Sequence, residues 1–105
     1  MTQEKLVHML TEITKAQLLC LQLGRLKDKK TLRFQQVSLA KRECVSLALQ
    51  AARLTRDLLG ASGITSEYQA MRHLCNLESV KTYEGTGHIH TLVLGERVTG
   101  IPAYK

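Results

Sequence analysis

Apolar residues in the first third of the chain recur every three or four positions, which is the spacing of one face of a helix. This series predicts a first helix over residues 3–26. Its apolar positions are Leu6, Met9, Leu10, Ile13, Ala16, Cys20 and Leu23. The segment Arg25–Arg33 is charged and poor in apolar residues, so it predicts a solvated connection.

A second apolar series with the same period predicts a long helix that ends at Leu58, with Gly60 standing at the position of a helix C-cap. Its apolar positions are Phe34, Val37, Ala40, Cys44, Leu47, Ala48, Ala51, Leu54 and Leu58. The small residues of Gly60–Gly63 then predict a turn.

Ser66 and Gln69 have the spacing of a capping box, which predicts that helix three opens there. Its buried stripe is predicted to contain Tyr68, Met71, Leu74 and Leu77. The apolar pattern breaks around Tyr83, Glu84 and Gly85. A fourth helix follows, with Thr86 as its cap, Gly100 and Pro102 at its end, and Ile89, Leu92, Val93 and Val98 as its apolar positions.

Composition supports this pattern of helices. The 105 residues include one proline, one phenylalanine and no tryptophan, which favours helices over strands. We therefore predict an all-α fold in which residues 1–105 form a single domain, an antiparallel helical bundle.

The formal net charge of +6 suggests an anionic partner, and nucleic acid, membrane headgroups and phosphate-bearing cofactors all qualify. Three cysteines without C-x-x-C spacing indicate neither a disulfide framework nor a structural zinc site, and are typical of a reducing compartment. No stretch approaches the roughly 18 apolar residues of a membrane span, so we expect no membrane insertion and an intracellular location.

The segment Lys81–Gly95 carries the most informative chemistry, because it places Glu84 between two helices and beside a glycine. The dipole of helix three opposes a carboxylate at that end, so helix stability does not explain it. A general base that abstracts a weakly acidic C–H proton is one interpretation. An exposed loop glutamate without a catalytic role is the other.

The predicted start of helix four at Thr86 leaves backbone N–H groups that could bind a phosphate, although simple capping explains Thr86 equally well. His88 and His90 are two positions apart and diverge on a helix, which argues against a metal site. The Gly60–Gly63 turn lacks both the preceding strand of a dinucleotide fingerprint and the lysine of a P-loop.

The run Asp57–Gly100, with its glycine-rich turn and the later Tyr-Glu-Gly-Thr of residues 83–86, strongly resembles the C-terminal part of acyl-CoA dehydrogenases. The first two predicted helices resemble the same domain, so the likeness covers nearly the whole chain. The pairs Ile89–His90 and Leu94–Gly95 make it most similar to the glutaryl-CoA branch of that family.

This resemblance implies that Glu84 removes the α-proton of an acyl-CoA thioester while the β-hydrogen leaves as hydride to FAD. In the glutaryl branch, decarboxylation to crotonyl-CoA follows. It further implies that Gly85 lies against the thioester and Tyr83 beside the acyl chain. Three residues are implied to approach FAD: Thr86, Gly87 and His88. Electron-transfer flavoprotein is the implied electron acceptor.

The family stretch that reaches the FAD of a neighbouring subunit corresponds to Asp57, Leu58, Leu59, Gly60 and Ala61. Tyr104 corresponds to a terminal aromatic residue near the cofactor. Many family members have Gln in place of Asp57 and a second glycine in place of Ala61. Both departures bear on the strength of the FAD contact between subunits, although the glutaryl branch can carry Asp at the first position.

The resemblance also implies domains that this sequence does not contain: an N-terminal helical domain, a middle β-domain and the first helix of the C-terminal bundle. We therefore expect a fragment that is inactive alone and forms homo-oligomers. Two alternatives are a helical assembly element without ligand binding and a basic nucleic-acid-binding module. The second is disfavoured by the scatter of arginines over separate helices: Arg53, Arg56, Arg72 and Arg97.

Overall fold

The two periodic apolar series produce two long helices, and two shorter helices complete the chain. The computed structural model describes residues 1–104. Its α-helices are α1 (Thr2–Asp28), α2 (Phe34–Leu58), α3 (Ala70–Thr82) and α4 (Gly87–Thr99), and two short 3₁₀ turns, Gly60–Ile64 and Ser66–Tyr68, join α2 to α3. No strand occurs within residues 1–104. The predicted all-α fold is confirmed.

Helices α1 and α2 form an antiparallel hairpin. Lys5 near the start of α1 pairs with Asp57 near the end of α2, while Cys20 and Cys44 bring their Sγ atoms to 3.9 Å further along. Burial, reinforced by Cys20, raises the pKa of the Cys44 thiol. The predicted solvated connection was too long, because residues 25–28 form the last turn of α1 and only residues 29–33 lie between the helices.

The predicted apolar stripe of α1 is only partly correct. Three of its positions are half-buried: Met9, Ala16 and Leu23. Leu6 and Leu10 remain 50% and 68% exposed. The physical reason is that α1 packs mainly against α2, so the side facing α2 is the one that is covered.

Helix α2 is the centre of the bundle, because it contacts α1, α3 and α4. Leu49 and Ala40 are its most buried apolar residues, at 4% and 6% exposed. Phe34 and Val37, predicted as core positions, are exposed instead. A helix covered on two sides buries positions outside a single stripe, which is why the periodic series missed Leu49.

The turn after α2 is tight. Gly60 has a left-handed φ of +58°, as the predicted C-cap glycine requires. Gly63 is buried, and a Cβ added to it would lie 2.3 Å from the carbonyl oxygen of Arg56. The 3₁₀ turn Gly60–Ile64 therefore folds back onto the backbone of α2 at a distance that only glycine permits.

The predicted capping box at the start of helix three is wrong. Helix α3 begins at Ala70, and Ser66 lies in the preceding 3₁₀ turn. Gln69 takes a left-handed φ of +61°, and its Nε2 donates to the Ser66 carbonyl oxygen at 3.1 Å. Tyr68 is consequently exposed, whereas the rest of the predicted stripe, Met71, Leu74 and Leu77, is half-buried as expected.

Helix α4 ends at Thr99, and Gly100 follows as its C-cap with the left-handed φ of +73° expected for its predicted role. Leu92 and Val93 are half-buried, but Ile89 and Val98 are exposed and do not belong to the core. None of the helices within residues 1–104 is long and apolar enough to cross a membrane.

Candidate functional site

The connection between α3 and α4 is a sharply turned loop of four residues. Helix α3 ends at Thr82, and Tyr83 is extended with φ −81° and ψ 162°. Glu84 and Gly85 then take positive φ angles of 54° and 95°. The predicted break between the two helices is confirmed, and it sets Glu84 just beyond α3 in a conformation that costs an L-residue about 1–2 kcal/mol.

Thr86 caps α4 as predicted. Its Oγ1 accepts a hydrogen bond from the Ile89 backbone N–H at 3.3 Å, and its carbonyl oxygen accepts from the His90 N–H at 3.1 Å. The backbone N–H groups of Gly87 and His88 precede the first helical hydrogen bond and have no acceptor within α4. This end of the helix carries partial positive charge, which favours an anion.

Gly85 is packed against the imidazole of His90. A Cβ added at Gly85 would lie 2.9 Å from the His90 Nε2 and 3.0 Å from its Cε1. Both ring nitrogens of His90 are buried and have no hydrogen-bond partner among residues 1–104. Backbone angle and close packing therefore both require glycine here, a requirement that local sequence patterns do not reveal because it depends on where the His90 ring lies.

Lys41 of α2 reaches the same loop. Its Nζ donates to the carbonyl oxygens of Tyr83 and Gly85, the second at 2.5 Å. The Nζ also lies 5.8 Å from the centre of the Tyr83 ring. Sequence reasoning missed this residue, although a signal exists: Lys41 stands four residues after Val37 and three before Cys44, on the helix face that the apolar series defines.

Glu84 and Tyr83 both project from the surface of the bundle. Glu84 is exposed, and its carboxylate makes no hydrogen bond or ion pair with the other described residues. Tyr83 is 55% exposed beside it. The carboxylate is thus held on a fixed backbone and is open to a group outside this chain.

A groove with a volume of about 610 Å³ runs between α2, α3 and α4, next to the loop. Its lining includes the cations Lys41, Arg42, Arg53 and Lys81, the carboxylates Glu43 and Glu78, and the start of α4 from Thr86 to His88. Arg42 Nε donates to Thr91 Oγ1 at 3.1 Å, and Arg53 pairs with Glu78 at 3.4 Å. Arg42 also pairs with Glu43, so two of the four cations have carboxylate partners. The remaining excess of positive charge beside the free N–H groups of α4 favours an anion such as a phosphate.

The segment Asp57–Ala61 lies at the other end of α2. Lys41 and Asp57 are separated by about 24 Å along the helix, at about 1.5 Å per residue. Asp57 pairs with Lys5 of α1, whose ammonium holds the pKa of that carboxyl below its usual range, and with Arg56. The residues predicted to contact FAD are therefore divided into two separate clusters.

Within the first cluster, Thr86, Gly87 and His88 all line the groove beside Gly85. Within the second, Leu58 and Leu59 are half-buried, while Gly60 and Ala61 are exposed. Tyr104 is 52% exposed and does not line the groove. The structure brings together Tyr83 to His88 but joins neither Tyr104 nor the second cluster to them.

Comparison with known proteins covers nearly the whole chain. The family profile described as "Acyl-CoA dehydrogenase, C-terminal domain" matches residues 1–99. The human short-chain specific acyl-CoA dehydrogenase, a mitochondrial protein, is 30% identical over 92 residues, which make up 88% of this chain and 22% of the human protein.

Two solved structures of glutaryl-CoA dehydrogenase from Mycobacterium smegmatis are also similar. One is 52% identical with a TM-score of 0.95. The other, a complex with FADH2, is 50% identical with a TM-score of 0.94. Each match covers 98% of this chain and 27% of the solved one, so the chain spans about a quarter of the length of these relatives.

Proposed function

The chain belongs to the acyl-CoA dehydrogenase family and corresponds to the C-terminal domain of its members. We propose that it supplies the catalytic base and part of the FAD site of a flavin-dependent dehydrogenase. The observation that carries the proposal is the position of Glu84, whose exposed carboxylate stands on a fixed turn next to a basic groove. In this assignment the domain acts within a larger enzyme, and the 105 residues alone do not catalyse the reaction.

Glu84 is the group that removes the proton from the α-carbon of the acyl thioester. Its carboxylate has no partner within residues 1–104 that would compete for the incoming proton. A positioned base of this kind contributes roughly 10² to 10⁴ to the rate. Gly85 lets the thioester approach the backbone beside the base, and Tyr83 lies where it can contact the acyl chain.

The chain offers suitable ligands for the phosphates of a flavin dinucleotide. Thr86 provides a hydroxyl, Gly87 and His88 provide backbone N–H groups, and Lys81 provides a cation that lines the same groove and has no pairing partner among the described residues. The donors and the charge thus fit an anionic diphosphate. When bound, FAD supplies the acceptor for the hydride that leaves the β-carbon.

We further propose glutaryl-CoA as the substrate, on the basis of the 52% and 50% identity to the mycobacterial glutaryl-CoA dehydrogenases. The product of oxidation and decarboxylation is crotonyl-CoA with release of carbon dioxide. Electron-transfer flavoprotein is proposed as the electron acceptor. The location proposed is the cytoplasm of a bacterium or the mitochondrial matrix of a eukaryote, as for the mitochondrial human relative.

The second cluster, Asp57–Ala61, is proposed to contact the FAD of a neighbouring subunit, which requires a homo-oligomer. Asp57 lies about 24 Å along α2 from Lys41, which contacts the loop beside the first cluster, and this separation supports two different cofactors as the targets. Within this chain the carboxylate of Asp57 pairs with Lys5, while Gly60 and Ala61 are exposed and available for that contact.

The test is a Glu84→Gln variant of the full-length, FAD-loaded protein, mixed anaerobically with glutaryl-CoA while flavin absorbance is followed. Glutamine keeps the volume of the side chain but does not accept the proton, so the rate of bleaching should fall by roughly 10² or more. FAD content and the unfolding midpoint should stay unchanged.

Glu67→Gln is the matched control, because Glu67 is an exposed glutamate in the 3₁₀ turn before α3, away from the groove. That variant should bleach at the unmodified rate. Bleaching of Glu84→Gln at the same rate as the control would exclude Glu84 as the base and reject the proposed function.

A further inference from the structure

Lys41 connects the middle of the bundle to the backbone on both sides of Glu84. Its Nζ donates to the carbonyl oxygen of Tyr83, which precedes Glu84, and to that of Gly85, which follows it, at 2.5 Å. For the carbonyl groups of residues i and i+2 to converge on one ammonium, the backbone at the residue between them must form a turn. Glu84 has that turned conformation, with φ 54°.

The left-handed conformation of Glu84 needs a source of stabilisation. A non-glycine residue there costs about 1–2 kcal/mol and persists only when surrounding contacts hold it. An ammonium group has three donors and no acceptor, and two of the donors of Lys41 are used on this loop. Hydrogen bonds from a charged donor are roughly twice as strong as those between neutral groups.

The location of Lys41 distinguishes it from an ordinary surface lysine. It is half-buried on α2, and its Nζ lies 5.8 Å from the centre of the Tyr83 ring, within the range of a cation–π contact. The carbonyl of Tyr83 belongs to the C-terminal end of α3, where partial negative charge favours a cation. The same ammonium thus contacts the end of α3, the ring of Tyr83 and the loop.

From this geometry we infer that Lys41 is the positioning residue for Glu84, setting the direction of its carboxylate through the two adjacent peptide groups. The inference rests on the proposed function, since it concerns the base of that reaction. Lys41 does not touch the substrate and transfers no proton. Its contribution is to keep the base in one orientation, where a displacement of about 1 Å costs on the order of 10² in rate.

The first experiment does not depend on activity. Hydrogen exchange is measured on the full-length protein for unmodified and Lys41→Met forms, because methionine keeps an unbranched side chain but has no donor. Exchange should rise about tenfold at the amides of Tyr83 and Ile89, which bond to Ser79 and Thr86 at the two ends of the loop. Amides in the middle of α1 should exchange as before.

Lys27→Met is the matched control, since Lys27 is exposed in the last turn of α1 and its side chain makes no hydrogen bond or ion pair with the described residues. Its exchange should be unchanged everywhere. Lys41→Arg keeps the charge and should recover most of the protection of the loop. If Lys41→Met folds too poorly for measurement, Lys41→Gln provides a neutral donor for the same comparison.

The second experiment measures flavin bleaching by glutaryl-CoA in the FAD-loaded protein. Lys41→Met should lower the maximal rate about tenfold or more with little change in KM, the pattern for a residue that acts on the transition state rather than on binding. Lys41→Arg should restore the rate to within about threefold. Glu84→Gln is measured in parallel.

The two ideas fail in different ways. If Glu84→Gln bleaches slowly but Lys41→Met bleaches at the unmodified rate, the positioning role is wrong and the base assignment stands. If Glu84→Gln bleaches at the unmodified rate, the proposed function itself is wrong. If exchange rises evenly throughout α2 and α4 in Lys41→Met, then Lys41 supports the whole bundle, and a specific positioning role is rejected.

Discussion

Replacing Gly85 by alanine tests the geometry of the candidate site directly. Gly85 has φ 95°, and an alanine Cβ at that position would stand 2.9 Å from the His90 Nε2. The positive φ costs about 1–2 kcal/mol for an L-residue. Forcing a methyl group against the ring adds about 1–3 kcal/mol. Gly85→Ala should therefore lower the free energy of unfolding by about 2–5 kcal/mol, a large part of the 5–15 kcal/mol typical of a domain.

A double-mutant cycle with His90→Ala separates the two contributions. Removing the imidazole eliminates the collision but leaves the backbone angle, so Gly85→Ala in that background should cost only about 1–2 kcal/mol. The assay is urea unfolding followed by circular dichroism, with all four forms measured at one protein concentration. An equal cost of Gly85→Ala in both backgrounds would refute the contact between Gly85 and His90.

Two further outcomes follow from the packing of the helices. Gly63→Ala should lower the unfolding free energy by about 1–3 kcal/mol, because its Cβ would lie 2.3 Å from the Arg56 carbonyl oxygen. Gly24→Ala, inside α1 with open space around it, should raise the unfolding free energy by about 1 kcal/mol. Thermal unfolding is the measurement, and midpoints of Gly63→Ala and Gly24→Ala that shift in the same direction would contradict these two expectations. The isolated chain should self-associate through the exposed apolar side of α1, which includes Leu6 and Leu10. Light scattering at micromolar concentration should show a dimer or larger, and a clean monomer would exclude it.

Local patterns in the sequence were sufficient for the helices and for most of their ends. The apolar series gave α2 its observed bounds, and Gly60, Thr86 and Gly100 have the cap conformations that their residue types predicted. The break at Glu84 was predicted for the same reason, since helix starts and stops depend on backbone preferences within a few residues. The capping box predicted at Ser66 was wrong, because residues 66–68 form a 3₁₀ turn instead of the first turn of α3. Local patterns did not distinguish these two structures.

Contacts between distant residues were decided only by the tertiary structure. Lys41 is 42 residues away from Tyr83 in the chain, and no local rule connects them. The close approach of Gly63 to Arg56 and the offset core around Leu49 arise in the same way, from helices packing on several sides of α2. Periodicity reports which side of a helix is apolar. The tertiary structure decides which side of the helix is covered, because that depends on the neighbouring helices. It also decides which lysine reaches the loop that carries Glu84.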